Sequence, residues 1–149
     1  MDKRLRTGPL AATCAFGLVA AAPAGASGAP VNLRQDAEQA IGGIGVACTG
    51  IAGSKEDPRW QAYPLRIEFA NDRREHLVGA QVRLSDASGD ELMNVTCWGA
   101  WLLLKPPGQE SYTLEATIIG EAAPARRATV RAPASGQTRI VLEFPGVDA

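Results

Sequence analysis

The chain has 149 residues and a formal net charge of −1 at neutral pH, with 46% hydrophobic, 21% charged and 5% aromatic residues. These proportions are typical of one globular domain and exclude a large multidomain protein. The near-neutral charge also excludes the dense positive field with which nucleic-acid-binding proteins displace counterions from phosphates. We therefore expect a single domain and no nucleic-acid partner.

The first 26 residues have the organisation of a secretory signal. Lys3, Arg4 and Arg6 give a positive start, an apolar run follows over residues 9–23, and small residues occupy positions 24–26. Residues 1–26 are therefore predicted to be a signal peptide that is cleaved after Ala26, so that Ser27 begins the mature chain. The alternative is a retained membrane anchor, but the apolar run is shorter than the ~20 residues that span a bilayer. We expect a periplasmic or secreted protein with no membrane span after cleavage.

Export decides how the cysteines are interpreted. Cleavage removes Cys14 and leaves Cys48 and Cys97 in an oxidising compartment, where an even pair indicates one disulfide. The alternatives are two buried free thiols or a metal pair. Two thiolates and a single histidine do not complete a tetrahedral zinc site unless a carboxylate joins them. We predict a disulfide between Cys48 and Cys97, no metal site and no cofactor.

The composition of the mature chain changes near Gly53. Residues 27–53 are rich in glycine and alanine and are predicted to be a flexible leader, whereas residues 54–149 are predicted to form the folded domain. From residue 64 onward, apolar and polar side chains alternate with the period of two that is typical of strands. Seven such segments occur, at residues 65–69, 80–84, 93–97, 101–104, 112–118, 127–131 and 139–144. Because turns rather than helical stretches join them, we predict an all-β fold, a seven-stranded antiparallel β-sandwich of prealbumin or immunoglobulin type.

The fourth of these segments carries a family resemblance. WLLLKPPG at residues 101–108, leading to YTL at residues 112–114, resembles the aromatic, apolar, Pro-Pro-Gly and Tyr-Thr element of carboxypeptidase regulatory-like domains. These domains are prealbumin-like sandwiches, and the match is closest to a group of small exported bacterial proteins. QES at residues 109–111 and WGA at residues 98–100 depart from that group's pattern. The resemblance covers residues 42–144 and implies a periplasmic, non-catalytic sandwich.

Catalytic residues are sparse in this chain. His76 is the single histidine and lies among charged loop residues, and the sequence has no nucleophile elbow, HExxH motif or phosphate-binding glycine loop. Asp86, Asp90 and Glu91 could pair as acid and base, but they belong to a predicted hairpin tip, where they are expected to be solvated surface charges. Transthyretin-related hydrolases share the predicted architecture, but they use several histidines and a C-terminal tetrapeptide that the ending PGVDA lacks. We predict that the protein is not an enzyme.

The tryptophans are the remaining candidates for a binding site. Trp60, Trp98 and Trp101 lie near predicted loops, where aromatic rings stack on sugars or on protein partners. The alternative is that Trp101 fills the core beside the disulfide and Trp60 covers an open sheet edge. We expect a non-enzymatic binding or structural module for a protein or cell-envelope partner, which it contacts through the leader or an exposed sheet edge. A carbohydrate-binding module or a small transthyretin-related hydrolase is the alternative function.

Overall fold

The computed structural model describes residues 28–149, and the predicted signal peptide at residues 1–26 lies outside them. The described chain forms ten strands: β1 Val31–Asn32, β2 Glu38–Ile41, β3 Ile44–Thr49, β4 Leu65–Ala70, β5 Ala80–Ser85, β6 Glu91–Cys97, β7 Trp101–Lys105, β8 Ser111–Ile118, β9 Arg126–Arg131 and β10 Thr138–Glu143. Two 3₁₀ helices, Ala52–Glu56 and Pro58–Ala62, connect β3 to β4. Neither of these helices is long and apolar enough to cross a membrane.

The strands form two sheets of five. The first sheet has the order β1-β6-β5-β8-β9, and the second has the order β10-β4-β7-β3-β2. Six of the eight strand pairs are antiparallel, whereas β1 pairs with β6 and β10 pairs with β4 in parallel. The all-β sandwich prediction is confirmed, but the expectation of a wholly antiparallel arrangement is wrong. The two parallel pairs lie at sheet edges, because β1 and β10 are each the outermost strand of a sheet.

The core lies between the two sheets because each strand turns alternate apolar side chains inward. On β4, Leu65, Ile67 and Phe69 are fully buried, and Val82 on β5 and Leu114 on β8 face them from the first sheet. Each of the seven predicted segments overlaps one of the strands from β4 to β10. Period-two alternation therefore located these seven strands correctly.

The strand count of seven is wrong because β1, β2 and β3 all lie in the segment predicted to be a flexible leader. Gly42 and Gly43 adopt positive φ angles of 57° and 78°, and they form the two-residue turn of the β2–β3 hairpin rather than a flexible stretch. On β3, Ile44 and Val46 are buried in the core, and the strand is hydrogen-bonded to both β2 and β7. The expectation of a flexible leader over residues 27–53 is therefore wrong for residues 31–49, which contain β1, β2 and β3.

The disulfide connects the two sheets. Cys48 on β3 and Cys97 on β6 are bonded at an S–S distance of 2.09 Å, with 5.5 Å between their Cα atoms. Neither cysteine exposes any surface. The predicted Cys48–Cys97 pairing is confirmed, and it joins the segment misread as a leader to the domain core.

Candidate functional site

The outer face of the second sheet carries a buried carboxylate. Strand β4 points Leu65, Ile67 and Phe69 into the core, so the same alternation turns Arg66 and Glu68 to the outer face. The side chain of Glu68 is nevertheless only 3% exposed. A buried carboxylate needs partners that compensate for its lost hydration, and in this protein arginines provide them.

Arg139 on β10 binds Glu68 through two charge-assisted hydrogen bonds. Its Nε donates to Oε1 at 2.8 Å and its Nη2 donates to Oε2 at 2.7 Å, and the Nε of Arg66 lies 2.9 Å from Oε1. Burial raises the pKa of Glu68, but the hydrogen bonds from Arg139 and the charges of Arg66, Arg139 and His76 outweigh it and lower the pKa overall. Glu68 is therefore held as a carboxylate whose oxygens are already engaged.

A groove of about 420 Å³ lies above Glu68 on the same face. We call it the outer groove, and it is lined by Glu68, Ala70, Arg74, His76, Arg139, Val141 and Glu143. His76 comes from the connection between β4 and β5 and forms an isolated bridge with Ala70, which places the imidazole at the rim. Since His76 is exposed and the Glu68 carboxylate is paired with arginine, the groove brings together charges rather than a nucleophile and its base.

The other half of this outer face is covered by aromatic rings and cations. Trp60 and Tyr63, from the second 3₁₀ helix and the residue that caps it, pack on Ala47 and Leu103 and are 3% and 2% exposed. The Trp60 Nε1 donates a 2.8 Å hydrogen bond to the Ser54 carbonyl oxygen, which fixes the ring. Trp60 therefore belongs to a small outer core and offers no free ring for a ligand.

Cations lie over the rings of Trp60 and of Trp101, which is on the neighbouring strand β7. Arg59 is 4.6 Å from the centre of the Trp60 ring, whereas Lys55 and Arg66 are 5.5 and 4.5 Å from the centre of the Trp101 ring. Such cation–π contacts stabilise by ~0.5–1 kcal/mol at exposed sites. Because its ring already contacts two cations, Trp101 is a poor platform for stacking a sugar.

The ring and the hydroxyl of Tyr63 also have partners within the protein. Lys105 lies 5.0 Å from the centre of its ring, and its hydroxyl donates to the Oε1 of Glu38 at 3.2 Å. Burial first, and then the charge of Glu38, raises the pKa of Tyr63 to about 12. The phenol therefore stays neutral well above physiological pH.

Trp98 differs from the other two tryptophans because it is 49% exposed. Its ring packs on Gly79, where an added Cβ would come within 2.6 Å of the ring atom Cζ3. The N–H of Gly79 donates to the Cys97 carbonyl oxygen at 3.1 Å, and its own carbonyl oxygen accepts from the N–H of Ile119 at 2.9 Å. Val78, which precedes Gly79 in the chain, and Ile119, which is hydrogen-bonded to it, are 47% and 43% exposed. We call these three exposed neighbours of Gly79, Trp98, Val78 and Ile119, the apolar patch.

The three tryptophans predicted as one group of contact residues thus occupy different environments. Trp60 is buried, Trp101 is partly buried beneath cations, and Trp98 is exposed at the end of the first sheet. Sequence reasoning missed Glu68 and Arg139, although period-two alternation places both on the polar faces of segments 65–69 and 139–144. The missing information was that β10 lies beside β4, which no local pattern reveals.

Comparison with models of known protein families finds no match for this chain. A search of curated proteins likewise finds no significant match. Within residues 28–149, no group of three or more histidine, cysteine or acidic side chains is arranged to hold a metal ion.

Proposed function

We propose that this protein is a non-enzymatic, extracytoplasmic β-sandwich that binds a protein or cell-envelope partner. The proposal includes removal of residues 1–26 as a signal peptide and membership of the carboxypeptidase regulatory-like group. The buried disulfide supports the compartment, because such bonds persist in oxidising environments and are rare in the cytosol. The two-sheet fold is compatible with the prealbumin-like architecture that the resemblance implies.

The observation that carries this proposal is the apolar patch around Gly79. Trp98, Val78 and Ile119 each expose more than two fifths of their surface. Each is a neighbour of Gly79: Trp98 through its ring, Val78 in the chain and Ile119 through a backbone hydrogen bond. Contiguous exposed apolar residues mark interaction surfaces, and tryptophan is among the residues that contribute most binding energy at interfaces. Trp98 is therefore the proposed central contact, and Gly79 holds its ring in place from behind.

The outer groove supports a role without turnover. A general acid must carry a proton near neutral pH, and a general base must have a free lone pair. Glu68 fits neither role well, because arginines lower its pKa and each of its oxygens already accepts a hydrogen bond from Arg139. His76 has no nucleophile hydrogen-bonded to it among the described residues. The groove therefore supports recognition better than proton transfer.

Site-specific photocrosslinking in cells tests the patch. A photoreactive residue at position 98 should give covalent adducts with a defined partner, whereas the same residue at Ser88 should not. Ser88 is a suitable control because it is also exposed but lies in the β5–β6 turn, at the opposite end of β6 from Trp98. Equal adducts at both positions, or none at either, would contradict the proposed contact.

The enzyme and carbohydrate alternatives have separate readouts. Hydrolysis of an ester or amide substrate panel by the wild-type protein, lost in His76→Ala, would replace the binding proposal with the hydrolase. Binding to a glycan array that Trp98→Ala abolishes would identify a carbohydrate-binding module. We expect neither hydrolysis nor glycan binding.

Signal cleavage has its own test. Intact mass analysis of the exported protein should show a chain that begins at Ser27.

A further inference from the structure

Strand β10 has one open hydrogen-bonding edge. The N–H of Thr138 donates to the Pro64 carbonyl oxygen at 2.8 Å, and the N–H of Phe144 donates to the Ala70 carbonyl oxygen at 2.8 Å. Even-numbered residues of β10 therefore direct their backbone groups toward β4, and the odd-numbered residues direct theirs away from the sheet. The outward row consists of Arg139, Val141 and Glu143, whose N–H groups find no backbone partner within residues 28–149.

The other edges of the two sheets are less suited to pairing with a further strand. Strands β1 and β2 contain only two and four residues. Strand β9 has six residues but places Arg126, Arg127 and Arg131 along its edge, and like charges guard an edge against association. Strand β10, with the sequence TRIVLE, has high β-propensity, no proline and no lysine.

The outward row of β10 is self-complementary. If two copies of β10 pair antiparallel about Val141, the register places Arg139 of each copy opposite Glu143 of the other and Val141 opposite itself. These are the residues whose backbone groups point outward, so each opposed pair exchanges two hydrogen bonds. We propose that the protein forms a symmetric dimer through β10, which joins two five-stranded sheets into one continuous ten-stranded sheet.

Side-chain charge supports a second copy of this chain as the partner. Within one protomer, Glu68 is shared by Arg66 and Arg139, so this cluster carries one excess positive charge. Glu143 forms no ion pair among the described residues. In the proposed register, Glu143 of the second copy lies beside Arg139 and neutralises that excess. An opposite-charge pair across two antiparallel strands is favourable, and the symmetry supplies it twice.

Burial of apolar surface also favours the proposed dimer. Val141 is 38% exposed on the outer face, beside the outer groove that Glu143 and Arg139 also line. In the dimer it lies against Val141 of the second copy, which removes both side chains from water. This inference concerns the second sheet and is independent of the partner proposed for Trp98 at the end of the first sheet.

Sedimentation equilibrium of the mature protein tests the dimer. At concentrations up to about 1 mM, the weight-average mass should rise above that of one chain toward twice that value, and a millimolar dissociation constant would place about half of the chains in dimers. Glu143→Gln should weaken association by removing two ion pairs. Glu143→Arg should weaken it further, by about tenfold or more, because Arg139 then faces an arginine in both symmetric contacts.

Two further variants separate edge pairing from other effects. Val141→Pro removes an N–H that β4 does not use, so the fold should survive, as measured by circular dichroism, while the dimer is lost. Glu121→Arg makes the same charge change at an exposed position in the β8–β9 turn and should leave the dimer intact. A wild-type protein that stays monomeric at 1 mM, or a dimer that persists in both Glu143→Arg and Val141→Pro, would overturn the proposal.

Discussion

Arg139 and Glu68 form a bidentate pair in which each carboxylate oxygen accepts one guanidinium hydrogen bond, at 2.8 and 2.7 Å. The two residues lie 71 positions apart in the chain and meet because β10 runs parallel beside β4. Glu68 is buried and Arg139 is largely exposed. The arginine therefore keeps a buried charge satisfied from the solvent side of the sheet.

Glu68→Gln should lower the free energy of unfolding by about 1–3 kcal/mol, because it leaves Arg66 and Arg139 without their shared partner. Chemical denaturation would measure the change. Glu115→Gln is the matched control, since Glu115 pairs with Arg127 across β8 and β9 at 2.7 Å but in a more exposed setting. That control should cost no more than about 0.5 kcal/mol, and equal losses in the two variants would contradict a special role for Glu68.

The stabilisation from Glu68 should depend on pH. Since its pKa is lowered in the folded state, the carboxylate contributes stability that is fully present above the ordinary glutamate value of 4.5 and is lost as pH falls through the folded-state pKa. The stability difference between wild type and Glu68→Gln should therefore be constant near neutral pH and shrink in acid. Urea denaturation at a series of pH values would show this, and a difference that grows in acid would contradict the assigned shift.

Leu33 should be needed for stability although it lies in the segment that composition assigns to a leader. It is 6% exposed and packs in the main core, so Leu33→Ala should cost about 2–3 kcal/mol in the free energy of unfolding. Val31 is 43% exposed two residues earlier, and Val31→Ala should change stability by less than about 0.5 kcal/mol. Thermal unfolding of both variants would measure the two changes in stability. If residues 27–53 were a dispensable leader, neither variant would be destabilised.

Loss of the disulfide should destabilise the protein by up to about 4 kcal/mol, because the bond closes a loop between residues 49 positions apart. The double variant Cys48→Ala with Cys97→Ala isolates this effect without added reductant, and denaturant titration would measure it. Thiol titration of denatured protein that begins at Ser27 should find no free thiol. Two reactive thiols per chain would show that the bond is absent.

Gly79→Ala should displace the Trp98 ring. Gly79 has a positive φ of 78°, and its added Cβ would meet the ring at 2.6 Å, so we expect a loss of about 2 kcal/mol or more and a changed tryptophan fluorescence spectrum. Gly136→Ala is the control for backbone strain alone, because Gly136 has a φ of 76° and no atom within 4 Å of an added Cβ. Identical behaviour of the two variants would show that Trp98 does not rest on Gly79.

Local patterns were sufficient for part of this fold. Alternation of side chains located β4 to β10, because a strand with one buried face must repeat every two residues wherever its partners lie. Cysteine parity after signal removal predicted the Cys48–Cys97 bond, which the structure contains. The strand positions follow from the pattern of neighbouring residues, and the disulfide follows from the number of cysteines.

Glycine content misled the interpretation of residues 31–49. Gly42 and Gly43 are hairpin turn residues and Gly45 lies within β3, where an added Cβ would approach the Cβ of Lys105 to 3.2 Å. The same glycines would be expected in a flexible linker. The pairing of β3 with β7 shows that this segment is part of the sheet and not a flexible linker. That pairing joins segments more than 50 residues apart in the chain.

The amino-acid sequence by itself determined the fold class, seven of the ten strands and the disulfide, because these follow from local periodicity and residue counts. Tertiary structure alone decided the strand order, the place of β1 to β3 in the sandwich, and the separate environments of Trp60, Trp98 and Trp101. It also decided that Glu68 meets Arg139 and that β10 keeps an open edge. Such features depend on which strands become neighbours, and non-local backbone pairing leaves no signature in the spacing of residues along one segment.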